Sequence, residues 1–123
     1  MATTPDRSYR RITRDISRHL TPLRTHNAAV MQGFGALSQA AMAPGALDEK
    51  TKELIAMAIG VASRCDGCLG FHAKALVRLG ASPEEFREML GVAVYMGGGP
   101  SLMYAANAMA AFEEFGRAEA SAA

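Results

Sequence analysis

The sequence predicts an all-α fold, a compact bundle of about six helices in a single domain over residues 1–123. Apolar residues recur every three or four positions in several segments, and no segment alternates with the period of a strand. Half of the residues are apolar, mostly Ala, Leu and Met, whose unbranched side chains keep their rotamer freedom in a helix. A chain of 123 residues is long enough for one hydrophobic core but not for a second.

The first helix is predicted to begin at Tyr9, after a loose start over residues 1–6. Its narrow apolar seam at helical spacing consists of Ile12, Ile16 and Leu20. Arginines surround this seam, and we interpret them as a solvated face or as partners of carboxylates on a neighbouring subunit. A second helix is predicted from about Thr25 to Ala41, where Pro44-Gly45 stops it.

The third and fourth helices are predicted to follow closely on one another. Asp48 is a suitable N-cap for a helix from Glu49 to about Ser63. The second half of this helix is apolar all round, so we expect it to be buried on nearly every side. The fourth helix is predicted to begin at Cys65 and end near Leu79, with Gly80 as the residue that follows its C-cap.

The fifth helix has the strongest start signal in the chain. Ser82 is its predicted N-cap, Pro83 occupies the first helical position and Glu85 completes a capping box. Three glycines, residues 97–99, break this helix. A last helix is predicted from Pro100 to about Phe115, with residues 117–123 loose.

Charge and hydropathy favour a cytoplasmic protein. The net charge of +1 gives no bulk field that would attract nucleic acid. We expect no secretory signal and no membrane anchor, because the longest apolar run, Leu54 to Ser63, is far shorter than the roughly 20 residues that span a bilayer. Several helices are apolar on more than one face, which predicts a homo-oligomer.

The most informative motif is Cys65-x-x-Cys68, which contains both cysteines of the chain. A disulfide here would close only a tiny loop, so stapling the fold is a poor explanation for the pair. At a helix start, the free N–H groups and the helix dipole lower the pKa of a thiol. His72 follows Cys68 by one helical turn on the same face, where a neutral imidazole accepts a thiol proton.

Glu53 is the predicted partner of His72. If the third and fourth helices form an antiparallel hairpin, a rise of about 1.5 Å per residue places Glu53 about 15 Å and His72 about 10 Å from the turn. The offset of about 5 Å is within reach of the two side chains. A carboxylate in so apolar a helix needs a polar partner. The sequence therefore predicts that Glu53 orients His72 and raises its basicity.

The combination of Glu53, Cys65-x-x-Cys68 and His72 resembles the core signature of the AhpD-like alkylhydroperoxidases of the carboxymuconolactone decarboxylase superfamily. The likeness extends over nearly the whole chain, including LDEKTKELIAMAIGVASRCDGCLGFHAKAL and YMGGGPSLMYAANA. It implies an all-helical subunit in trimers or hexamers. It further implies a thiol-dependent hydroperoxide reductase, acting on a peroxide or a disulfide with a thiol electron donor. Cys68 would then attack the peroxide, Cys65 would resolve the sulfenic acid, and Glu53 and His72 would relay the proton.

Two features depart from that family pattern. The family's best-studied members carry a histidine between the two cysteines, where this chain has Gly67. This chain is also about one repeat shorter than those members. The resemblance therefore implies weaker peroxidase turnover and a missing surface for docking the electron donor.

Other functions compete with this prediction. Cys65, Cys68 and His72 could supply three ligands to zinc, although the usual zinc signature repeats the CxxC or adds paired histidines. A c-type haem is excluded because Leu69, not a histidine, follows the second cysteine. We expect no cofactor. A carboxymuconolactone decarboxylase-like lyase and a non-catalytic thiol or metal sensor remain the alternatives to the redox enzyme.

Overall fold

A computed structural model of the protein describes residues 7 to 122, and it confirms the all-α prediction. Within that range the chain forms six α-helices and no strand. They are α1 (Tyr9–His26), α2 (Ala28–Met42), α3 (Glu49–Ala62), α4 (Asp66–Arg78), α5 (Pro83–Gly97) and α6 (Gly99–Ala122). No helix in the described part of the chain is both long and apolar enough to cross a bilayer.

The predicted helix starts are confirmed where a capping side chain specifies them. The Asp48 carboxylate accepts a hydrogen bond from the Thr51 N–H at 2.7 Å at the start of α3. The Ser82 hydroxyl accepts from the Glu85 N–H, and the Glu85 carboxylate accepts from the Ser82 N–H, which completes the capping box of α5. Side-chain caps satisfy backbone donors that a helix leaves unpaired, so these boundaries are encoded locally.

Two predicted boundaries are wrong. α1 continues through Pro22 to His26, so the second helix begins at Ala28 and not near Thr25. Pro22 removes one backbone hydrogen bond, but the exposed position leaves the unpaired carbonyl to water. At the other end, α6 passes the predicted stop near Phe115 and continues to Ala122, because the residues that follow are good helix formers. Residues 117–122 are therefore helical, whereas residues 1–6 and 123 lie outside the described part.

The core forms where α3, α4, α5 and α6 meet. Its largest fully buried side chains include Met57 and Val61 on α3, Leu69 and Leu76 on α4, and Phe86 on α5. Phe86 stacks on Phe112 of α6 with ring centroids 4.2 Å apart. Aromatic pairs at this spacing add about 0.5–1.5 kcal/mol to the free energy of burial. The α3–α4 hairpin, which carries the predicted site residues, is thus held between rigid neighbours.

Glu114 of α6 fixes the start of α1. Its carboxylate accepts hydrogen bonds from the Tyr9 N–H at 2.9 Å, the Arg10 N–H at 3.0 Å and the Ser8 hydroxyl at 2.8 Å. Burial alone raises the pKa of Glu114, but the hydrogen bonds outweigh it and hold the pKa below its ordinary value. The charged form therefore stabilises the folded chain.

Glu114→Gln is expected to lower the free energy of unfolding by about 1–3 kcal/mol at pH 7, because the bonded acceptor loses its charge. A depressed pKa contributes stability above the unfolded value and loses it as the pH falls through the folded value. The difference between the two proteins should therefore shrink below about pH 4. Urea unfolding at pH 7 and below about pH 4 measures this difference in the free energy of unfolding. The exposed neighbour Glu113→Gln is the control. Equal stabilities at pH 7 would contradict this role.

A broad apolar surface stays uncovered in the single chain. No residue of α2 is buried, and Val30, Phe34 and Leu37 are 64–68% exposed. On α3, Ile55 and Ile59 are 45% and 60% exposed. The expectation that the second half of α3 is buried on nearly every side is therefore wrong for one chain, because Ile55 and Ile59 stay exposed among residues 7–122.

Candidate functional site

The turn between α3 and α4 places the cysteine motif at a helix start. Arg64 adopts a left-handed conformation with φ of 56°, and the Cys65 N–H donates to the Gly60 carbonyl at 3.0 Å. This closes α3 and leaves Cys65 in an extended conformation as the N-cap of α4. The Cys65 Sγ accepts a hydrogen bond from the Cys68 N–H at 3.1 Å. A sulfur in that position accepts a hydrogen bond from one of the free backbone N–H groups of the helix terminus.

Cys65 and Cys68 are joined in a disulfide, with their Cα atoms 5.2 Å apart. This Cα separation is ordinary for disulfides. Both residues are partly exposed. Gly60 lies against them, and a Cβ added there would stand 3.0 Å from the Cβ of Cys68. The lack of a side chain at residue 60 therefore lets α3 and α4 approach closely at the motif.

Glu53 and His72 meet across the same hairpin. The His72 Nδ1 lies 2.6 Å from the Glu53 Oε2, which is the contact that the helix spacing predicts. Glu53 is buried, whereas the His72 side chain is 30% exposed. An ionised Glu53 can only accept in this contact, so a neutral His72 ring paired with it donates from Nδ1 and has its free lone pair on Nε2.

His72 also lies on the same helix as Cys68. Both residues belong to α4, with His72 one turn after Cys68, so their side chains share a face. Cys65 precedes the helix and is nearly two turns from His72. The four predicted site residues thus converge at the α3–α4 hairpin, with the imidazole oriented by a buried carboxylate.

A second polar cluster at the motif escaped the sequence prediction. Asp66, between the cysteines, accepts a hydrogen bond from the Tyr9 hydroxyl at 3.2 Å and pairs with Arg7 at 3.4 Å. Burial raises the pKa of Tyr9, so the phenol stays protonated and donates. These contacts join residues 57 and 59 positions apart, and no local pattern in the sequence signals them. They tie the start of α1 to the cysteine loop.

α1 also covers Gly67, the second of the two residues between the cysteines. A Cβ built on Gly67 would stand 2.8 Å from the Cδ1 of Ile16. A larger side chain at residue 67 would have to displace this isoleucine. The end of the Ile16 side chain thus occupies the space that a side chain at residue 67 would need.

The other two histidines of the chain lie away from this cluster. His19 is exposed on α1, with its Nδ1 2.8 Å from the Asp15 carbonyl oxygen, and His26 is exposed at the end of that helix. No group of three or more His, Cys, Asp or Glu residues in the described part of the chain is arranged to hold a metal ion. With the two sulfurs bonded to each other, the disulfide form does not present them as thiolate ligands.

Comparison with known proteins gives consistent results. The model of the carboxymuconolactone decarboxylase family matches residues 28–111. A carboxymuconolactone decarboxylase family protein from Legionella pneumophila is 58% identical, with a TM-score of 0.87 over 88% of this chain and 96% of that chain. A family member from Thermotoga maritima, described as a candidate for an antioxidative response, is 31% identical, with a TM-score of 0.80 over 89% and 94%.

A protein of Cupriavidus necator, described as uncharacterized, is 38% identical over 99 residues, which is 80% of this chain and 88% of that one. The family match covers the α3–α4 hairpin and its four converging side chains, and it spans more than half of the chain. The chain belongs to the carboxymuconolactone decarboxylase family.

Proposed function

We propose that the protein is a thiol-dependent oxidoreductase that reduces a peroxide or a disulfide through Cys65 and Cys68. The observation that carries the proposal is the 2.6 Å contact of the His72 Nδ1 with the buried Glu53, one turn from a cysteine in a CxxC disulfide. A base held in one orientation beside a thiol activates it as a nucleophile. The antioxidative role suggested for the Thermotoga maritima relative agrees with this chemistry.

The proposed cycle begins with the reduced pair. The His72 Nε2 takes the proton of Cys68, and the thiolate attacks the peroxide, forming a sulfenic acid on Cys68 and releasing an alcohol that receives that proton. The Cys65 thiolate then attacks the Cys68 sulfur and forms the disulfide. The hydroxide that leaves the sulfenic acid takes up a proton and becomes water. A dithiol donor reduces the disulfide by exchange and is itself oxidised.

The two cysteines differ in the groups that favour their thiolate forms. Cys68 has the imidazole one turn away. The Cys65 Sγ instead accepts a hydrogen bond from the Cys68 N–H and lies at the positive end of the α4 dipole. These groups stabilise a thiolate at Cys65, which suits the thiol that resolves the sulfenic acid. On this basis we assign the attack on the peroxide to Cys68 and the resolution of the sulfenic acid to Cys65.

The alternatives are a lyase that uses the same surface with incidental cysteines, and a non-catalytic thiol or metal sensor. Titration of free thiols after addition of one equivalent of a peroxide or of a small disulfide separates them. The redox enzyme should lose both thiols of each chain within seconds and regain them with a dithiol reductant. A lyase or a sensor without peroxidase activity would lose them no faster than free cysteine does, and that result would contradict the proposal.

We further propose that the protein works as a homo-oligomer, a trimer or a hexamer by family resemblance. The support is the uncovered apolar surface of α2 and α3 and a second one on α5 and α6, where Tyr95 of α5 and Met103 of α6 are 84% and 62% exposed. Exposed apolar areas of this kind mark interfaces between subunits.

Sedimentation is expected to show an assembly larger than a monomer at micromolar concentration. Phe34→Glu should weaken the assembly at least about tenfold, since burying an unpaired charge at an interface is costly. Glu113→Lys, an exposed substitution in the described part of α6, serves as control. A folded monomer of the natural sequence at micromolar concentration would rule the oligomer out.

A further inference from the structure

A cavity on the side of the molecule formed by α1, α4 and α6 has no part in the proposed thiol chemistry. Its volume is about 460 Å³, within the range of small-molecule sites. Neither cysteine of the disulfide lines it, and neither do Glu53 and His72. The lining combines charged and hydroxyl side chains with two aromatic rings.

The charges around the cavity are mostly positive. Arg10 and Arg14 of α1 and Lys74 of α4 line it, and Glu119 of α6 is the single acidic residue among the lining groups. In residues 7–122, the side chains of these three cations form no ion pair with a carboxylate. Three cations against one carboxylate give the described lining of the cavity a net positive charge.

Neighbouring arginines on the same helix behave differently. Arg11 and Arg18 both pair with Asp15, at 3.9 Å and 3.7 Å, on the exposed side of α1. Four arginines of α1 thus divide into two sets, Arg11 with Arg18 and Arg10 with Arg14. One set pairs with a carboxylate of its own helix, and the other set faces the cavity.

The aromatic rings give the cavity an apolar wall. Phe71 is 38% exposed and Phe115 is 7% exposed, and both line the cavity together with the cations. An apolar wall with a few polar groups that converge on one end is the usual form of a site for a small organic ligand. Guanidinium groups bind carboxylates and phosphates with paired hydrogen bonds.

We propose that this cavity binds a small organic anion, with its carboxylate or phosphate on Arg10, Arg14 and Lys74 and its apolar body against Phe71. The site is separate from the thiol centre and does not depend on the proposed redox function. A carboxylate and a phosphate share the recognition chemistry, and the choice of probes distinguishes them.

The test uses the intact, oxidised protein and isothermal titration calorimetry with benzoate, phenyl phosphate and inorganic phosphate. At least one aromatic anion should bind saturably with a Kd below about 1 mM, and more tightly than inorganic phosphate. The stronger of benzoate and phenyl phosphate identifies the anionic group. The double variant Arg14→Ala/Lys74→Ala should weaken binding at least about tenfold, because two charge-assisted contacts are lost.

The matched control is Arg11→Ala/Arg18→Ala, which removes the same charge from the exposed side and should weaken binding less than about threefold. Phe71→Ala should reduce the advantage of the aromatic anion over inorganic phosphate. Circular dichroism verifies that each variant keeps its helical fold. The proposal is overturned by the absence of saturable binding, by equal weakening in the two double variants, or by an unchanged preference in Phe71→Ala.

Discussion

His72→Ala is expected to slow the alkylation of Cys68 by iodoacetamide near neutral pH by about 10²–10⁴-fold, the usual contribution of a positioned base. The reason is geometric. The imidazole lies one turn from Cys68, and its Nδ1 is held by Glu53, so the free Nε2 is available for the thiol proton. The measurement is the alkylation rate against pH in a Cys65→Ser background, which leaves one thiol to follow.

Glu53→Gln should slow the same reaction by a smaller factor, roughly 10- to 100-fold, because an amide still contacts the ring but does not stabilise the imidazolium. The double variant should be no slower than His72→Ala alone, since the two residues act as one unit. His19→Ala, an exposed histidine of α1, is the control. Fully additive effects, or a normal rate in His72→Ala, would rule out the relay.

Cys68→Ser is expected to abolish peroxide reduction, whereas Cys65→Ser should still react once. In the Cys65→Ser protein the sulfenic acid on Cys68 has no resolving thiol and should accumulate. Its reaction with dimedone then gives an adduct that can be detected. The competing influence is the α4 terminus, which favours a thiolate at Cys65. A helix terminus supplies about 0.3–1 kcal/mol, less than tenfold in rate, and the Cys68 N–H adds to it.

The comparison of the two serine variants decides between these influences. If the Cys68→Ser protein retains the fast, low-pKa thiol and forms the dimedone adduct, Cys65 is the nucleophile and the assignment is reversed. Neither substitution changes the helical framework, because both side chains lie at the start of α4 and are partly exposed. Circular dichroism of both variants is the control.

Much of the fold could be predicted because its signals are local. The caps at Asp48 and Ser82 each involve residues three positions apart, so the sequence contains the whole interaction. The Glu53–His72 contact could also be predicted, since a short turn makes α3 and α4 antiparallel and a fixed rise per residue then aligns their side chains.

The rest depends on contacts between distant parts of the chain. Nothing near Asp66 in the sequence indicates Tyr9, and nothing near Gly67 indicates that Ile16 covers it. The first helix runs past the predicted start of the second near Thr25, with Pro22 inside it at an exposed position that a helix tolerates. The cationic cavity likewise needs three helices to be in place before Arg14 and Lys74 come together.

The central claim is that Cys65 and Cys68 form one dithiol that peroxide oxidises. Mass spectrometry of the reduced protein after one equivalent of tert-butyl hydroperoxide tests it most directly, because cleavage after Arg64 and Lys74 leaves both cysteines in one tryptic peptide. The account predicts that this peptide loses two hydrogens at the rate at which peroxide disappears, and that a dithiol restores its mass. Unchanged thiols, a bridge between chains, or sulfonic acid as the sole product would contradict it.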